Sequence, residues 1–380
     1  MQIRANLPQK RDLRLDLFRG LANWAIFLDH IPHEVLSSLT TRNYGFSDAA
    51  DLFVFISGYT AACVFGRIMI ERGCGAAASR LLQRAAKLYA AHVLVLLVYI
   101  STIGWVSQQL HDPDDLNQFN AAIFMSKPLW EFLQALVLRY KPVNLDVLPL
   151  YIVLLATFAP ALWLMVRKPT LVLTGSVAVY LAARHFGWNL PASPSGSWYF
   201  NPFAWQLLFF LGAWTALGGA QAIQSMVRTR TVFWLAMAYL VFAFVVTVAI
   251  HAPDLGHVLP HPLLAPFDPN DKSNLAPYRV VHLIALAIVV TRFLSADSPI
   301  LQWRSVAPLI KCGQNSLEVF CFGIILSFCA HAAIEIGRNA LSVQVVAGAA
   351  GVVLMTASAY YWAWFNRQDR PFASKPMVRT

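Results

Sequence analysis

Long apolar segments alternate with short polar ones along the whole chain. Ten of them approach or exceed the roughly 20 residues that an α-helix needs to cross the hydrocarbon core of a bilayer. They are residues 16–38, 47–70, 87–108, 145–166, 170–184, 201–219, 231–250, 278–295, 314–336 and 341–365, of which 170–184 is the shortest. The pattern predicts an all-α, polytopic membrane protein with about ten transmembrane helices.

Composition supports this prediction, because 58% of the 380 residues are hydrophobic and only 13% are charged. Soluble domains carry about twice that charged fraction, roughly 25%. The net charge of +10 does not indicate nucleic acid, since most Lys and Arg fall on one side of the predicted helices. The positive-inside rule then places both termini in the cytoplasm. We expect a cytoplasmic segment at 1–15, one transmembrane domain at 16–366 and a cytoplasmic tail at 367–380.

Several other classes are disfavoured. The polar N-terminus runs into a full-length apolar segment without a small-residue cleavage site, unlike a cleavable signal peptide. Five cysteines, all predicted within the membrane or on its inner side, do not suggest a disulfide framework. No Cys/His spacing resembles a metal site and no Gly-rich phosphate loop occurs. We therefore expect no metal and no tightly bound cofactor.

Two polar stretches have helical spacing. Residues 127–141 place apolar side chains on one face, which predicts a helix lying at the outer interface. Residues 78–87 predict a short basic amphipathic turn at the inner headgroups. We find no inverted repeat of the kind that marks many transporters.

The first apolar segment contains ionisable side chains, each of which costs roughly 2.5–3.5 kcal/mol inside a membrane. On a continuous helix Asp16, Arg19, Asn23, His30 and His33 share one stripe, and Asp29 flanks it. Such a stripe must face protein or water rather than lipid. Pro32 in FLDHIPH (27–33) kinks or ends the helix. The alternative is that this motif only caps the outer end of the helix at the headgroups.

The second apolar segment opens with FSDAADLFVFISGY, which places Asp48 and Asp51 on one helical face. Because the connection to the first segment is short, we expect these acids near His30 and His33. A carboxylate there would fix the tautomer of an imidazole that acts as a general base. The alternative for Asp48 is a helix N-cap, since SDAAD resembles a capping box.

Two further segments carry polar side chains at their predicted outer ends. FNPFAWQLLFFLG contributes Asn201, Trp205 and Gln206, and DPNDKSNLAPYRVVHLIALA contributes Lys272, Asn274, Arg279 and His282. Singly, each is an ordinary interface anchor. Together they predict one outward-opening cavity lined by cations, amides and imidazoles. His92 and the histidines outside these clusters are interpreted as packing or loop residues.

The segment RLDLFRGLANWAIFLDHIPH resembles the first helix of the membrane acyltransferases that include the acyltransferase-3 proteins and the lysosomal heparan N-acetyltransferase. The blocks DHIP, DLFVFISGY, NPFAWQLLFFLG and DKSNLAPYRVVHLIALA are most similar to the OpgC family, the succinyltransferases of osmoregulated periplasmic glucans. The resemblance implies transfer of an acyl group, expected to be succinyl from cytoplasmic succinyl-CoA, to hydroxyls of a periplasmic glucan. It also implies a bacterial inner-membrane location. It assigns the catalytic histidine to His30 and the Asp–Arg-Gly pattern to Asp16, Arg19 and Gly20, and leaves the role of His33 open.

On this basis we expect His30 to act as general base, oriented by Asp29 or by an acid of the second segment such as Asp51. Asn201, Gln206 or Arg279 would stabilise the developing oxyanion or hold the sugar, and Arg279 and Lys272 are candidates for a succinyl carboxylate. The predicted substrate-binding residues are Asp16, Arg19, His33, Asp48, Asn201, Trp205, Gln206, Lys272, Asn274, Arg279 and His282.

Two alternatives stay open at this point. One is a proton-coupled transporter or channel, in which the stripe of the first segment conducts ions. The other is an acetyltransferase that acts on another surface polysaccharide, because no residue in the sequence specifies a particular sugar. The pattern also leaves the oligomeric state open.

Overall fold

The computed structural model describes residues 11–110, 114–251 and 260–368. Most of the predicted cytoplasmic segment 1–15 and nearly all of the tail 367–380 lie outside the described residues. Within these ranges there are helices and no β-strand, so the all-α prediction is confirmed. Helices of eight or more residues are α1 (Leu13–Asp29), α2 (Ala49–Arg72), α3 (Cys74–Leu110), α4 (Pro128–Leu136), α5 (Val147–Met165), α6 (Pro169–Phe186), α7 (Pro202–Trp214), α8 (Arg230–His251), α9 (Pro277–Phe293), α10 (Ala307–Gln314), α11 (Ser316–Ile336) and α12 (Leu341–Gln368).

Each predicted transmembrane segment overlaps with one of these helices, although the bounds differ. Seven of the described helices are long and apolar enough to cross a membrane: α2, α3, α5, α7 with its continuation to Ala222, α8, α11 and α12. The chain is therefore a polytopic helical membrane protein. That α1, α6 and α9 also cross, and that both termini are cytoplasmic, stay predictions.

The first compact unit contains Leu36–Ala296 and therefore α2 to α9. Within it α2 packs on α7, α3 on α5, α6 on α7 and α8 on α9. Two glycines allow α2 and α7 to touch backbone to backbone. A Cβ on Gly58 would overlap the carbonyl of Phe209, and a Cβ on Gly212 would overlap the carbonyl of Phe55. Small residues at a helix contact are the usual means of close packing in lipid, where apolar burial offers little driving force.

The second compact unit contains Leu13–Val35 and Asp297–Thr380, and therefore α1 and α10 to α12. The same device joins α1 to α10, since Gly20 abuts the carbonyl of Leu309 and Gly313 abuts the carbonyl of Asp16. A buried apolar cluster that includes Phe27 completes the unit. The helix that leads to the predicted catalytic His30 is thus held by backbone contacts that leave no space for a methyl group.

The first apolar segment is not helical to residue 38, because α1 ends at Asp29, so of the two outcomes expected at Pro32, a kink or an end, the structure shows the end. The backbone N–H of His30 still donates to the carbonyl of Ile26 at 3.0 Å, whereas that of Ile31 bonds to Leu28 in the tighter spacing of a 3₁₀ turn. Pro32 explains the end of the helix, because it lacks an N–H and disfavours helical geometry at the residue before it. Val35–Leu39 then forms a separate 3₁₀ turn.

Two smaller predictions also have a structural outcome. Residues 78–87 do not form a separate short turn, because they belong to the N-terminal third of the continuous helix α3. The helix predicted in 127–141 is present only over Pro128–Leu136, as α4, whose Leu129, Trp130 and Leu133 are exposed while Glu131 is buried. The location of α4 at the membrane interface stays a prediction.

Candidate functional site

The polar residues of α1 lie on one stripe that ends at His30. Asp16 and Asn23 are buried, Arg19 is partly buried, and the amide of Asn23 donates to the carbonyl of Ser316 at 3.4 Å. His30 continues the stripe because its backbone keeps the helical hydrogen bond. His33 does not, because its φ of 59° places it in the left-handed region and its side chain is exposed. The expected five-residue stripe therefore loses His33.

The turn that carries His30 is fixed from both sides. Ile31 is buried in the apolar cluster of the second unit, and the N–H of Val35 donates to Gln344 of α12 at 3.1 Å. Asp29 and His30 are both partly buried at the C-terminus of α1. The carbonyls of a helix C-terminus favour positive charge, so this position suits an imidazole that gains a proton during a reaction.

Asp48 and Asp51 form a capping box at the start of α2, as the SDAAD motif suggested. The carboxylate of Asp48 accepts from the N–H of Ala50, and that of Asp51 accepts from the N–H of Asp48, both at 2.9 Å. Two cations neutralise them. Arg279 Nη2 lies 2.5 Å from Asp51 and 3.2 Å from Asp48, and Lys272 Nζ lies 2.6 Å from Asp48. We call these four side chains the charge cluster.

The charge cluster is largely closed to solvent, since the Arg279 and Asp51 side chains are 2% and 0% exposed. Although burial opposes it, the Asp48 carboxylate raises the pKa of Lys272, which lies in the loop before α9 and stays charged. Each cation of the cluster therefore already has a carboxylate partner. Both were candidates for a succinyl carboxylate, and that role stays a prediction. His30 belongs to the second unit, so its orientation by Asp51 also stays a prediction.

His282 takes part in a tight packing arrangement beside the charge cluster. Its Nδ1 lies 2.7 Å from the hydroxyl of Ser47 and accepts from the Ser47 backbone N–H at 3.3 Å. Nδ1 is therefore the unprotonated nitrogen, and Nε2 carries the hydrogen. A Cβ on Gly45 would overlap the ring, and Phe46 stacks at 4.7 Å on Phe267.

Asn201 and Trp205, which were predicted to line a cavity, form hydrogen bonds with loop 271–276. Asn201 caps α7 by accepting from Phe203 and donates to Asn274 at 3.0 Å. The indole of Trp205 donates to the carbonyl of Lys272 at 3.0 Å. Arg184 and Tyr180, which the sequence interpretation omitted, bind the same loop through the carbonyls of Asn274 and Leu275.

Gln206 is engaged elsewhere. Its amide donates to the carbonyl of Ser176 at 2.8 Å and accepts from the Ser176 hydroxyl at 2.6 Å, with both side chains buried. Within the described residues, its polar atoms therefore bridge α7 to α6. Substrate binding by Asn201, Trp205 and Gln206 stays a prediction, and the geometry gives each a structural role.

The sequence interpretation also missed Lys141 and dismissed His92. Lys141 is only 7% exposed although it follows α4 in a polar segment, and its ammonium lies 3.7 Å above the ring of Trp198. The one available signal was RYKPV, a lysine between aromatic and apolar residues. Lys141, His92 and Trp198 come from separate segments of the chain, so no local sequence spacing connects them.

In the described residues no three His, Cys, Asp or Glu side chains are grouped to hold a metal ion. No curated protein and no solved structure matches the chain. One family model does, that described as OpgC protein, and it spans residues 11–367, including α1 with His30 and the whole charge cluster. The chain therefore belongs to the OpgC protein family, which identifies it as a membrane acyltransferase that modifies glucans.

Proposed function

We propose that this protein transfers a succinyl group from cytoplasmic succinyl-CoA to hydroxyls of a periplasmic glucan, with His30 as general base. The family match over residues 11–367 supports glucan acylation. The observation that carries the assignment of the base is the position of His30, which follows α1 on a firmly held turn and is partly exposed.

A sugar hydroxyl is a weak nucleophile at neutral pH, so a base must take its proton during attack. In the proposed reaction the imidazole of His30 accepts that proton while the hydroxyl oxygen bonds to the thioester carbonyl carbon. The carbon–sulfur bond then breaks, the ester forms, and the thiolate of CoA leaves and takes up the proton. No covalent enzyme intermediate is required.

The donor side is proposed to involve Asp16 and Arg19 of α1. Arg19 is a partly buried cation two turns or more before His30 on the same stripe, where it would attract a phosphate of CoA. The close contact of Gly20 with Leu309 keeps this part of α1 fixed against α10. The pantetheine arm would then extend along the stripe toward His30.

Mass spectrometry of periplasmic glucans from bacteria with and without the protein tests the proposal. We expect increments of one succinyl mass, removable by mild alkali as esters are, that disappear when the gene is deleted and return on complementation. Increments of one acetyl mass would show that the transferred group is acetyl and not succinyl. Unchanged glucans together with an altered proton flux would favour a transporter and overturn the proposal.

A further inference from the structure

Lys141 is a buried cation that has no ion pair among the residues the structure describes. Its side chain is 7% exposed, and its ammonium lies 3.5 Å from the carbonyl of Leu138, at the limit of a hydrogen bond. Among the described residues no carboxylate forms an ion pair with it. This differs from Lys272 and Arg279, which are both paired with acids of α2.

An uncompensated buried cation is unfavourable, because the lost hydration has to be replaced. The ring of Trp198 at 3.7 Å replaces part of it through a cation–π contact. Asp146, before α5, acts on Lys141 only at longer range. Burial accordingly lowers the pKa of Lys141 to about 8. The position therefore favours a bound anion.

Two further donors around Lys141 are also unsatisfied. His92 of α3 is fully buried, and neither of its ring nitrogens has a hydrogen-bond partner in the described part of the chain. The positive charge of Lys141 acts electrostatically on His92. The indole N–H of Trp198 is likewise buried without an acceptor among the described residues. Buried polar groups are nearly always hydrogen-bonded, so two such residues beside one buried cation point to a missing acceptor.

The backbone around this position is held firmly. Asn120 donates to the carbonyl of Lys141 at 3.0 Å, and Asn189 donates to that of Trp198 at 2.9 Å. Leu138 has a φ of 60°, an uncommon conformation for a branched side chain that the surrounding contacts maintain. A site whose donors are fixed before binding loses little freedom when a ligand arrives.

We propose that Lys141, His92 and Trp198 form a carboxylate site, which takes the free carboxylate of a dicarboxylic acyl group. An ammonium, an imidazole N–H and an indole N–H would then surround one carboxylate. Asp146 disfavours a second negative charge, so the site suits a ligand with a single carboxylate. The inference rests on the proposed function, since it names the group that would distinguish succinyl from acetyl transfer.

The first test uses wild-type protein in detergent and two small probes of nearly equal size. Monomethyl succinate carries the free carboxylate and an ester in place of the thioester, and methyl butyrate lacks the charge. We expect saturable binding of monomethyl succinate by calorimetry, at least tenfold tighter than that of methyl butyrate. Equal affinities, or no binding of monomethyl succinate at millimolar concentration, would overturn the carboxylate site.

Substitutions locate the binding. We expect Lys141→Met to weaken the binding of monomethyl succinate at least tenfold. The affinity of Lys141→Arg should stay within about threefold of wild type, because arginine retains the positive charge. Arg139→Gln is the matched control, since Arg139 is an exposed cation two residues away. Wild-type affinity in a folded Lys141→Met protein, judged by its elution and melting curve, would refute the assignment.

Failure of the inference and failure of the proposed function give different results. If glucans carry a neutral acyl group and monomethyl succinate does not bind, acyl transfer is supported and the carboxylate site is refuted. If deletion of the gene leaves the glucans unchanged but monomethyl succinate binds through Lys141, the carboxylate site is supported and the proposed function is refuted.

Discussion

The guanidinium of Arg279 lies 2.5 Å from the carboxylate of Asp51, and both side chains are closed to solvent. One residue opens α9 and the other lies in the first turn of α2. The pair therefore fastens two helices of the first unit at a point where neither charge can be hydrated.

Loss of one partner should destabilise the protein strongly. We expect Arg279→Met to cost about 3–5 kcal/mol, because two carboxylates at the start of α2 would lose their shared cation in a buried position. The measurement is the melting temperature in detergent, followed by intrinsic fluorescence. Replacing both partners, with Arg279→Met and Asp51→Leu together, should recover part of the loss, because no unpaired charge is then left at Asp51.

The exposed pair of Arg184 and Asp271 provides the control. Its side chains are 30% and 37% exposed at a separation of 3.0 Å, so Arg184→Gln should cost at most about 1 kcal/mol. If Arg279→Met melts no lower than Arg184→Gln, the charge cluster does not stabilise the fold.

The contact of α1 with α10 should tolerate no added methyl group. We expect Gly20→Ala and Gly313→Ala each to destabilise by about 1–3 kcal/mol or more, because the new Cβ would overlap a backbone carbonyl. Gly175→Ala in α6 is the matched control, since a Cβ there meets nothing within 4 Å. It should be neutral or stabilising by about 0.5–1 kcal/mol. Equal melting temperatures for all three variants would contradict the packing.

The sequence predicted the all-α class and the places of the main helices, because apolar length is a local property. Hydropathy placed the end of the first segment too late, since the apolar pattern continues through Ile31 and Val35, whereas Pro32 correctly indicated a break in the helix. Local spacing also revealed the capping box, because Asp48 and Asp51 lie only three residues apart in the sequence.

The rest of the candidate site depends on contacts that no spacing predicts. Arg279 and Asp51 are 228 residues apart, so their pairing follows from the packing of α9 against α2. Polar residues that the sequence interpretation placed around one cavity form hydrogen bonds with one another, as Asn201 and Asn274 do. Lys141 escaped attention for the same reason, because only the fold brings Trp198 over its ammonium.

The binding of a carboxylate at Lys141 should decrease in alkali. Burial lowers the pKa of Lys141 to about 8, and the ammonium form is the one that attracts an anion. Asp146 also acts electrostatically on this group, Lys272 acts on Asp146, and Lys141 acts on His92. We expect the affinity for monomethyl succinate to be constant up to about pH 7.5 and then to fall, approaching tenfold per pH unit above the pKa. Lys141→Arg should remove the decrease, since arginine stays charged. Equal slopes in the two proteins would assign the titration to another group.

Substitution of His30 should abolish turnover rather than binding. We expect His30→Asn to lower kcat for acyl transfer by about 10²–10⁴-fold, because the attacking hydroxyl would lose its proton acceptor. His33→Asn is the informative comparison, since asparagine tolerates the left-handed backbone found there and the side chain is exposed. It should change KM for the glucan by a few fold and leave kcat nearly unaltered. The rates come from radiolabelled succinyl-CoA and purified glucan with the protein in vesicles, after melting curves have shown that both variants fold. A folded His30→Asn protein with wild-type kcat would remove His30 from the chemistry. A large loss of kcat in His33→Asn alone would transfer the role of base to His33.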